Sequence, residues 1–271
     1  MLHILLTNDD GVASPGLHAL RAALAPLGRV SVVAPDRNRS AIARGITIHS
    51  SLTVEEVRLE DGATAYATDG TPVDCVRLAV LGLLGEVPDV IVSGANLGLN
   101  LGDDVTYSGT VAAALEGVLL GWPAIAVSQE ALGGGGGPEA DYDFRPVAAF
   151  VARLVPLLVR ERFPRHVLLN VNAPGRPAGR AQGARVTRLG RRIYHDKLEL
   201  EAHEGARRRY RIYGDGHSHH REEGTDLAAV DDGFISVTPL HFDLTDLDGM
   251  DAVERWEIGG LLREEAAELA P

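Results

Sequence analysis

Short apolar runs alternate along the first half of the chain with stretches whose apolar positions recur every three or four residues. HILLT (3–7), RVSVVAP (29–35), DVIVSG (89–94) and PAIAVSQ (123–129) are continuous aliphatic segments of strand length. Between them, Leu17, Leu20, Leu24 and Leu27 form one helical face, opened by Ser14-Pro15 at N-cap and N1 and closed by Gly28. Thr71-Pro72 opens a second helix, with Val73, Val76, Val80 and Leu83 at helical spacing, and 108–121 reads as a third. A polar loop follows the second strand, and the segment 45–68 after it has no assigned element.

Continuous rather than alternating aliphatic strands are buried on both faces. The pattern therefore predicts an α/β fold with a mostly parallel sheet covered by helices on both sides. Gly133–Gly137 is expected to be a surface loop. A long helix over about 143–162, bent at Pro156, and a strand over 166–172 follow. From Gly175 to about Gly224 the chain becomes Arg-rich and weakly periodic, the pattern of a projecting hairpin-like appendage. Strand character returns at 233–240, and a helix from about Asp251 is expected to close the chain.

Composition narrows the classes of function. The formal net charge of −12 repels nucleic acid and phosphate-bearing ligands at long range, so a phosphorylated substrate would need a local cation. Lys197 is the single lysine and no Gly-Lys-Ser/Thr occurs, which excludes a P-loop. No uncharged apolar run of roughly 18 residues suggests a membrane span. The start of the chain lacks a basic segment and a small-residue cleavage site, so no secretory signal is expected. Cys75, the one cysteine, sits on an apolar helix and is expected in the core; the expected compartment is the cytoplasm.

In parallel sheets ligands bind beyond the carboxyl ends of the strands, and there the chain places its polar residues. The first strand leads to Thr7, Asn8, Asp9 and Asp10, the second to PDRNRS ending at Ser40, and the third to SGANLGLN with Asn96 and Asn100. Carboxylate, hydroxyl and amide oxygens suit a hard dication such as Mg²⁺ or Mn²⁺. Neighbouring residues of a regular strand point to opposite faces, so Asp9 and Asp10 converge only if the chain leaves strand geometry, which Gly11 permits. An isolated Asp-Asp-Gly is more simply a solvated turn; three polar strand ends together favour the ion. YSGT (107–110) reads either as an ordinary N-cap or as an anion site on the free amides of a helix start. GANLGLNLG lacks the spacing of a dinucleotide fingerprint. HSHH (217–220) is a weak metal motif in loop-like sequence, and His3 and His18 are expected to pack or face solvent.

ILLTNDDG, VVAPDRNRSA, GTPVDCV, VSGANLGLNLG, YSGTVAAALEG and GTDLAAVDDGFISVTPLHFDLT, in this order, resemble the survival protein SurE family, metal-dependent nucleoside-monophosphate phosphatases. The resemblance runs from Leu2 to about Thr245. It implies a Rossmann-like core over 1–174, an extension with an oligomerisation hairpin over 175–232, and a C-terminal strand and helix over 233–271, packed or exchanged in a homodimer or homotetramer. It implies one metal ion on Asp9, Asp10, Ser40 and Asn96, phosphate contacts from Asn96, Asn100, Ser108, Gly109 and Thr110, and a catalytic role for Asp9 and Asp10. Nucleoside monophosphates are the implied substrates, with 3′-nucleotides and short polyphosphate as further ones; neither nucleic acid nor membrane is an expected partner. The stretch 205–223 departs from the family pattern. Two other readings compete: a nucleotide-binding regulatory module without turnover, and a covalent aspartyl-phosphate phosphatase, whose Asp-x-Asp spacing Asp9-Asp10-Gly11-Val12 does not match.

Overall fold

The computed structural model describes residues 1–134, 139–161, 163–177, 181–194, 197–212, 217–256 and 258–261. Part of the predicted glycine loop (135–137), position 162 and most of the predicted final helix (262–271) lie outside these residues. Met1–His241 form one compact unit and Phe242–Pro271 a second.

The first unit is a three-layer α/β sandwich. Its elements in chain order begin with β1 (Leu2–Thr7), α1 (Pro15–Leu24), β2 (Gly28–Pro35), β3 (Val54–Arg58), β4 (Thr64–Thr68), α2 (Pro72–Leu78), β5 (Val90–Leu97), α3 (Gly109–Leu119) and β6 (Ala124–Gln129). They continue with α4 (Arg145–Arg160), β7 (Val167–Ala173), β8 (Ala184–Val186), β9 (Arg192–Tyr194), β10 (Glu199–Glu204), β11 (Arg207–Arg211), β12 (His217–His219), α5 (Asp226–Asp231) and β13 (Ile235–His241). Nine strands form one sheet in the order β3-β4-β2-β1-β5-β6-β7-β13-β8. All neighbours are parallel except β3 with β4 and β7 with β13.

Strand periodicity sorts the core. Ile4 and Leu6 point to the α1/α4 face and Leu5 to the α2/α3 face; Val90 and Val92 against Ile91 repeat the division on β5. Leu17, Leu20 and Leu24 are fully buried as the leucine periodicity predicts, whereas Leu27 falls in a separate short 3₁₀ turn. Ser14 occupies the N-cap position of α1 without a side-chain bond; its carbonyl accepts from His18 N at 3.2 Å. Cys75 is buried, as expected of a core residue.

Three parts of the fold were not assigned as elements from the pattern. The β3–β4 hairpin occupies the unassigned segment 45–68; VEEVR and TAYAT are short and partly polar and become strands only by pairing, β4 with β2 and β3 with β4. Helix α5 is a six-residue element capped by Thr225, whose hydroxyl accepts from Ala228 N. In the appendage, β8 joins the main sheet, while β10 with β11 and β9 with β12 form two small separate ladders. Long helix α4 begins at Arg145, two residues later than expected. In the second unit, α6 (Leu247–Glu254) begins four residues before the expected start, because Asp246 caps it through Gly249 N.

The loop after β2 is tied to the body through α2. Thr71 and Asp74 form a reciprocal capping box at its start. The Asp74 carboxylate also accepts from Thr47 N at 3.0 Å and Thr47 Oγ1 at 2.7 Å. Burial alone would raise the Asp74 pKa, but these hydrogen bonds to the charged form outweigh it and hold it below the usual 3.8. Asp74→Ala should therefore cost about 1–3 kcal/mol of unfolding free energy at pH 7, through the lost cap and the unpaired Thr47 groups. Because the folded pKa is depressed, that stability is present above the unfolded value and disappears as pH falls through the folded one. Denaturant titrations at pH 7 and at about pH 3 check that the gap between wild type and variant narrows in acid.

Candidate functional site

The chain runs from β1 outward to β2 and β4 on one side, then returns to β5 on the other. This reversal opens a crevice beyond the carboxyl ends of β1 and β5, the usual ligand position in such sheets. Asp9 and Asp10 follow β1 there, and Asn96 lies at the end of β5.

Strand β1 stops at Thr7, and the next four residues fold into a bend. Asn8 closes it from within: its Nδ2 donates to Gly11 O at 2.9 Å and its Oδ1 accepts from Gly11 N at 3.2 Å. Asn8 thus braces the turn, leaving the carboxylates as the outward-facing groups. Gly11 has φ +102, and a Cβ there would come within 3.0 Å of the Arg37 backbone. The position requires glycine on both counts.

Three neighbouring segments close on the carboxylate pair. From the loop after β2, Arg39 N donates to Asp9 O at 2.7 Å and Asn38 Nδ2 to Asp10 Oδ1 at 3.3 Å. Asn38 Oδ1 accepts from Ser40 N at 2.7 Å, which ties Ser40, on an exposed loop, to the residue that bonds Asp10. From β5, Leu97 N donates to Asp10 Oδ2 at 3.0 Å. From α3, Thr110 Oγ1 donates to Asp9 Oδ1, and the backbone at Gly109 lies so close that a Cβ would meet Asp9 Cβ at 2.8 Å. Asn96 Nδ2 donates to Gly98 O at 2.9 Å. That contact fixes the amide so that Oδ1, the atom a cation would take, is the one left available.

The other predicted phosphate contacts are placed differently. Ser108 is the N-cap of α3, its Oγ accepting from Val111 N at 3.1 Å, so the capping reading of YSGT is realised. Asn100 is buried, and its side chain turns inward to donate to Ser128 Oγ at 2.7 Å. His3 is buried with ring contacts to Val87 O and Ser31 Oγ, His18 bonds Val12 O, and His219 pairs with Asp231 at 2.9 Å.

Burial pushes the Asp9 pKa up, against the opposing effect of the Thr110 hydroxyl and the nearby amides of α3. Burial and then the charge of Asp9 push Asp10 up to about 7. Among the described residues no basic side chain pairs with either carboxylate. Two close, desolvated anions without a counter-charge fit a bound dication. Among the described residues no group of three or more His, Cys, Asp and Glu is placed to hold a metal. The donor set here is of another kind, two carboxylates with hydroxyl and amide oxygens, which suits Mg²⁺ or Mn²⁺ better than zinc.

The family described as Survival protein SurE matches residues 4–196 of the chain. The chain belongs to the SurE family. It is 52% identical over 265 residues to the 5′-nucleotidase SurE of Rubrobacter xylanophilus, covering 96% of this chain and 99% of that protein. It is 48% identical to that of Chloroflexus aggregans, with 94% and 99% coverage. The crystal structure of the SurE protein from Aquifex aeolicus superposes with a TM-score of 0.78 at 39% identity, covering 94% of this chain and 99% of that one. SurE membership accords with the three-layer mixed sheet described above.

Several buried polar residues that frame this SurE site escaped the sequence reading. Asn172 Oδ1 accepts from Asn100 N at 2.8 Å, while Asn170 and Asn172 both donate from Nδ2 to Asn100 O, at 2.9 and 3.1 Å. Asp226 accepts from Gly102 N, Gly190 N and Leu227 N at 2.8–2.9 Å, although burial still raises its pKa. The available signal was polarity out of place: Asn at alternate positions inside the apolar strand HVLLNVN, and a lone carboxylate, Glu116, in the apolar helix around AAALEG.

Two predictions follow from this geometry. The unliganded folded protein keeps a proton on Asp10 that the unfolded chain gives up near 3.8, so its stability should fall as pH rises from about 4 to about 7. Saturating Mn²⁺ should flatten that slope, and Asp10→Asn should reduce it to the part that the raised pKa of Asp9 contributes; thermal melts across the range are the readout. Gly109→Ala should displace Asp9 and weaken Mn²⁺ binding at least about tenfold by calorimetry.

Proposed function

We infer that the chain is a 5′-nucleotidase, a phosphoric monoester hydrolase that converts nucleoside monophosphates to nucleoside and phosphate. The reading assigns one divalent ion, Mg²⁺ or Mn²⁺, to Asp9, Asp10, Ser40 and Asn96. The observation that carries it is the pair of adjacent carboxylates, Asp9 buried and Asp10 half-buried, with no basic partner among the described residues, set at the sheet's reversal point beside the start of α3. The relatives named 5′-nucleotidase SurE, matched over nearly their whole lengths, support the activity.

When bound, such an ion polarises a phosphoryl oxygen and lowers the pKa of an attacking water. Asp9 and Asp10 supply the negative charge that holds it, while Ser40 and Asn96 add oxygens without further charge. The site is thereby left attractive to an anion in a chain of net charge −12. Thr110 and the Gly109 backbone fix Asp9, and Leu97 N and Asn38 fix Asp10, so neither carboxylate has to reorganise during the reaction. The reading gives Asp9 or Asp10 the orientation of an attacking water, and the greater exposure of Asp10 favours it for that role. Asn96, Asn100, Ser108, Gly109 and Thr110 are assigned to the phosphate, where the amides at the start of α3 would stabilise charge on its oxygens and Asn100 would have to release Ser128 to reach it.

The same reading extends to 3′-nucleotides and short polyphosphate, to a homodimer or homotetramer, and to the cytoplasm. Leu244, Leu247, Trp256 and Leu261 of the second unit are all more than 60% exposed, an apolar surface suited to burial against another copy. Among the described residues no helix is long and apolar enough to cross a membrane.

Phosphate release from a panel of nucleoside monophosphates, with Mg²⁺ or Mn²⁺ and with excess chelator, tests the function. Turnover should require the ion, and Asp10→Asn should lower kcat by more than about 100-fold. Nucleotide binding without phosphate release would favour the regulatory module instead, and a trapped phosphoenzyme the covalent mechanism.

A further inference from the structure

Glu116 is 2% exposed in the middle of α3, a charged side chain that the proposed chemistry does not use. Its two oxygens are taken by two arginines from different segments. Arg44 Nη2 lies 2.7 Å from Oε2, and Arg77 Nε lies 2.8 Å from Oε1. Arg77 belongs to α2. Arg44 belongs to the loop after β2 that carries Ser40, four positions upstream.

This loop has an unfavourable local conformation. Ala41 and Ala43 both have positive φ, 58° and 53°, which residues with a Cβ rarely adopt. The two alanines offer little to pack, Ile42 between them is 36% exposed, and Ser40 itself is exposed. Backbone contacts anchor it at Arg39 N to Asp9 O (2.7 Å) and at Ala43 N to Tyr107 O (3.2 Å). Two guanidinium groups anchor it as well, Arg39 on Asp69 O just before Ser40 and Arg44 on the buried Glu116 just after it.

We propose that Glu116, through Arg44, is a positioning residue that holds the Ser40 loop over the Asp9–Asp10 pair. The geometry gives the device its accuracy. Helix α3 begins at Gly109 against Asp9, and Glu116 lies seven residues further on, about 10 Å along the same rigid rod. One helix therefore sets both the carboxylate at its start and the loop that brings the hydroxyl oxygen. The excess positive charge of two arginines on one carboxylate keeps Glu116 paired if either arginine is removed, so the two can be tested separately.

This inference rests on the reading of Ser40, Asp9 and Asp10 as metal ligands, and the experiment separates the two. Mn²⁺ affinity is measured by calorimetry, alongside thermal melting and steady-state kinetics on a nucleoside monophosphate, for wild type, Arg44→Ala, Arg77→Ala and Asp10→Asn. The expected result is that Arg44→Ala weakens Mn²⁺ binding about tenfold or more and lowers kcat at subsaturating metal, with recovery at high Mn²⁺. Arg77→Ala, which leaves the Arg44–Glu116 pair in place, should keep Mn²⁺ affinity within about twofold of wild type. Equal Mn²⁺ affinity in the two arginine variants, whether both unchanged or both reduced in step with melting temperature, would overturn the positioning role. Wild-type Mn²⁺ binding by Asp10→Asn would instead overturn the metal reading itself.

Discussion

Two carboxylates placed side by side in a poorly solvated crevice repel each other, and no basic side chain among the described residues relieves them. Burial raises the cost of either charge, and the charge of one raises the cost of the other. A fold that nonetheless builds this arrangement from its most rigid parts, the end of a central strand and the start of a buried helix, holds a site that is complete only with a cation in it. Most of the polar construction around the reversal of the sheet follows from that constraint.

The surrounding side chains divide into those that support the pair and those that support its supports. Leu97 N, Asn38 and Thr110 each donate one hydrogen bond to a carboxylate oxygen, which fixes orientation while leaving other lone pairs for an ion. Further back, Asn8 locks the bend, Asn172 pairs with both backbone groups of Asn100 as a neighbouring strand would, and Asp226 gathers three amides from separate segments. Such bonds gain strength in a low-dielectric interior and become costly if broken, so a buried network of this kind keeps loops in one place. Glu116 with its two arginines performs the same service with formal charges.

The global and local electrostatics oppose each other. A chain of net charge −12 discourages anions at a distance, while a dication on two carboxylates with neutral co-ligands presents a site that is no longer negative. On the proposed reading, selectivity for a phosphoryl group would then depend on the helix start and its amide groups. The acidic surface is screened at physiological salt beyond about 8 Å, whereas the partly buried site is screened much less.

The sequence by itself determined the layered α/β architecture, since aliphatic runs and helical leucine spacing leave few other ways to bury those residues; Ile4, Leu6, Leu17 and Val92 lie where the pattern placed them. It also marked the strand ends as a polar rim, because Asp9, Asp10 and Ser40 follow buried strands, Asn96 ends one, and none has an apolar reason to be there. It was silent on the β3–β4 hairpin, whose strands exist only through pairing, and on the partners of Asn170, Asn172, Asp226 and Glu116. Those roles depend on contacts between residues 70 or more positions apart, as with Asn100 and Asn170 or Arg44 and Glu116, and for Asp226 on contacts 36 and 124 positions away. Periodicity reports which face a residue occupies, but only the closed sheet decides which distant group it meets there.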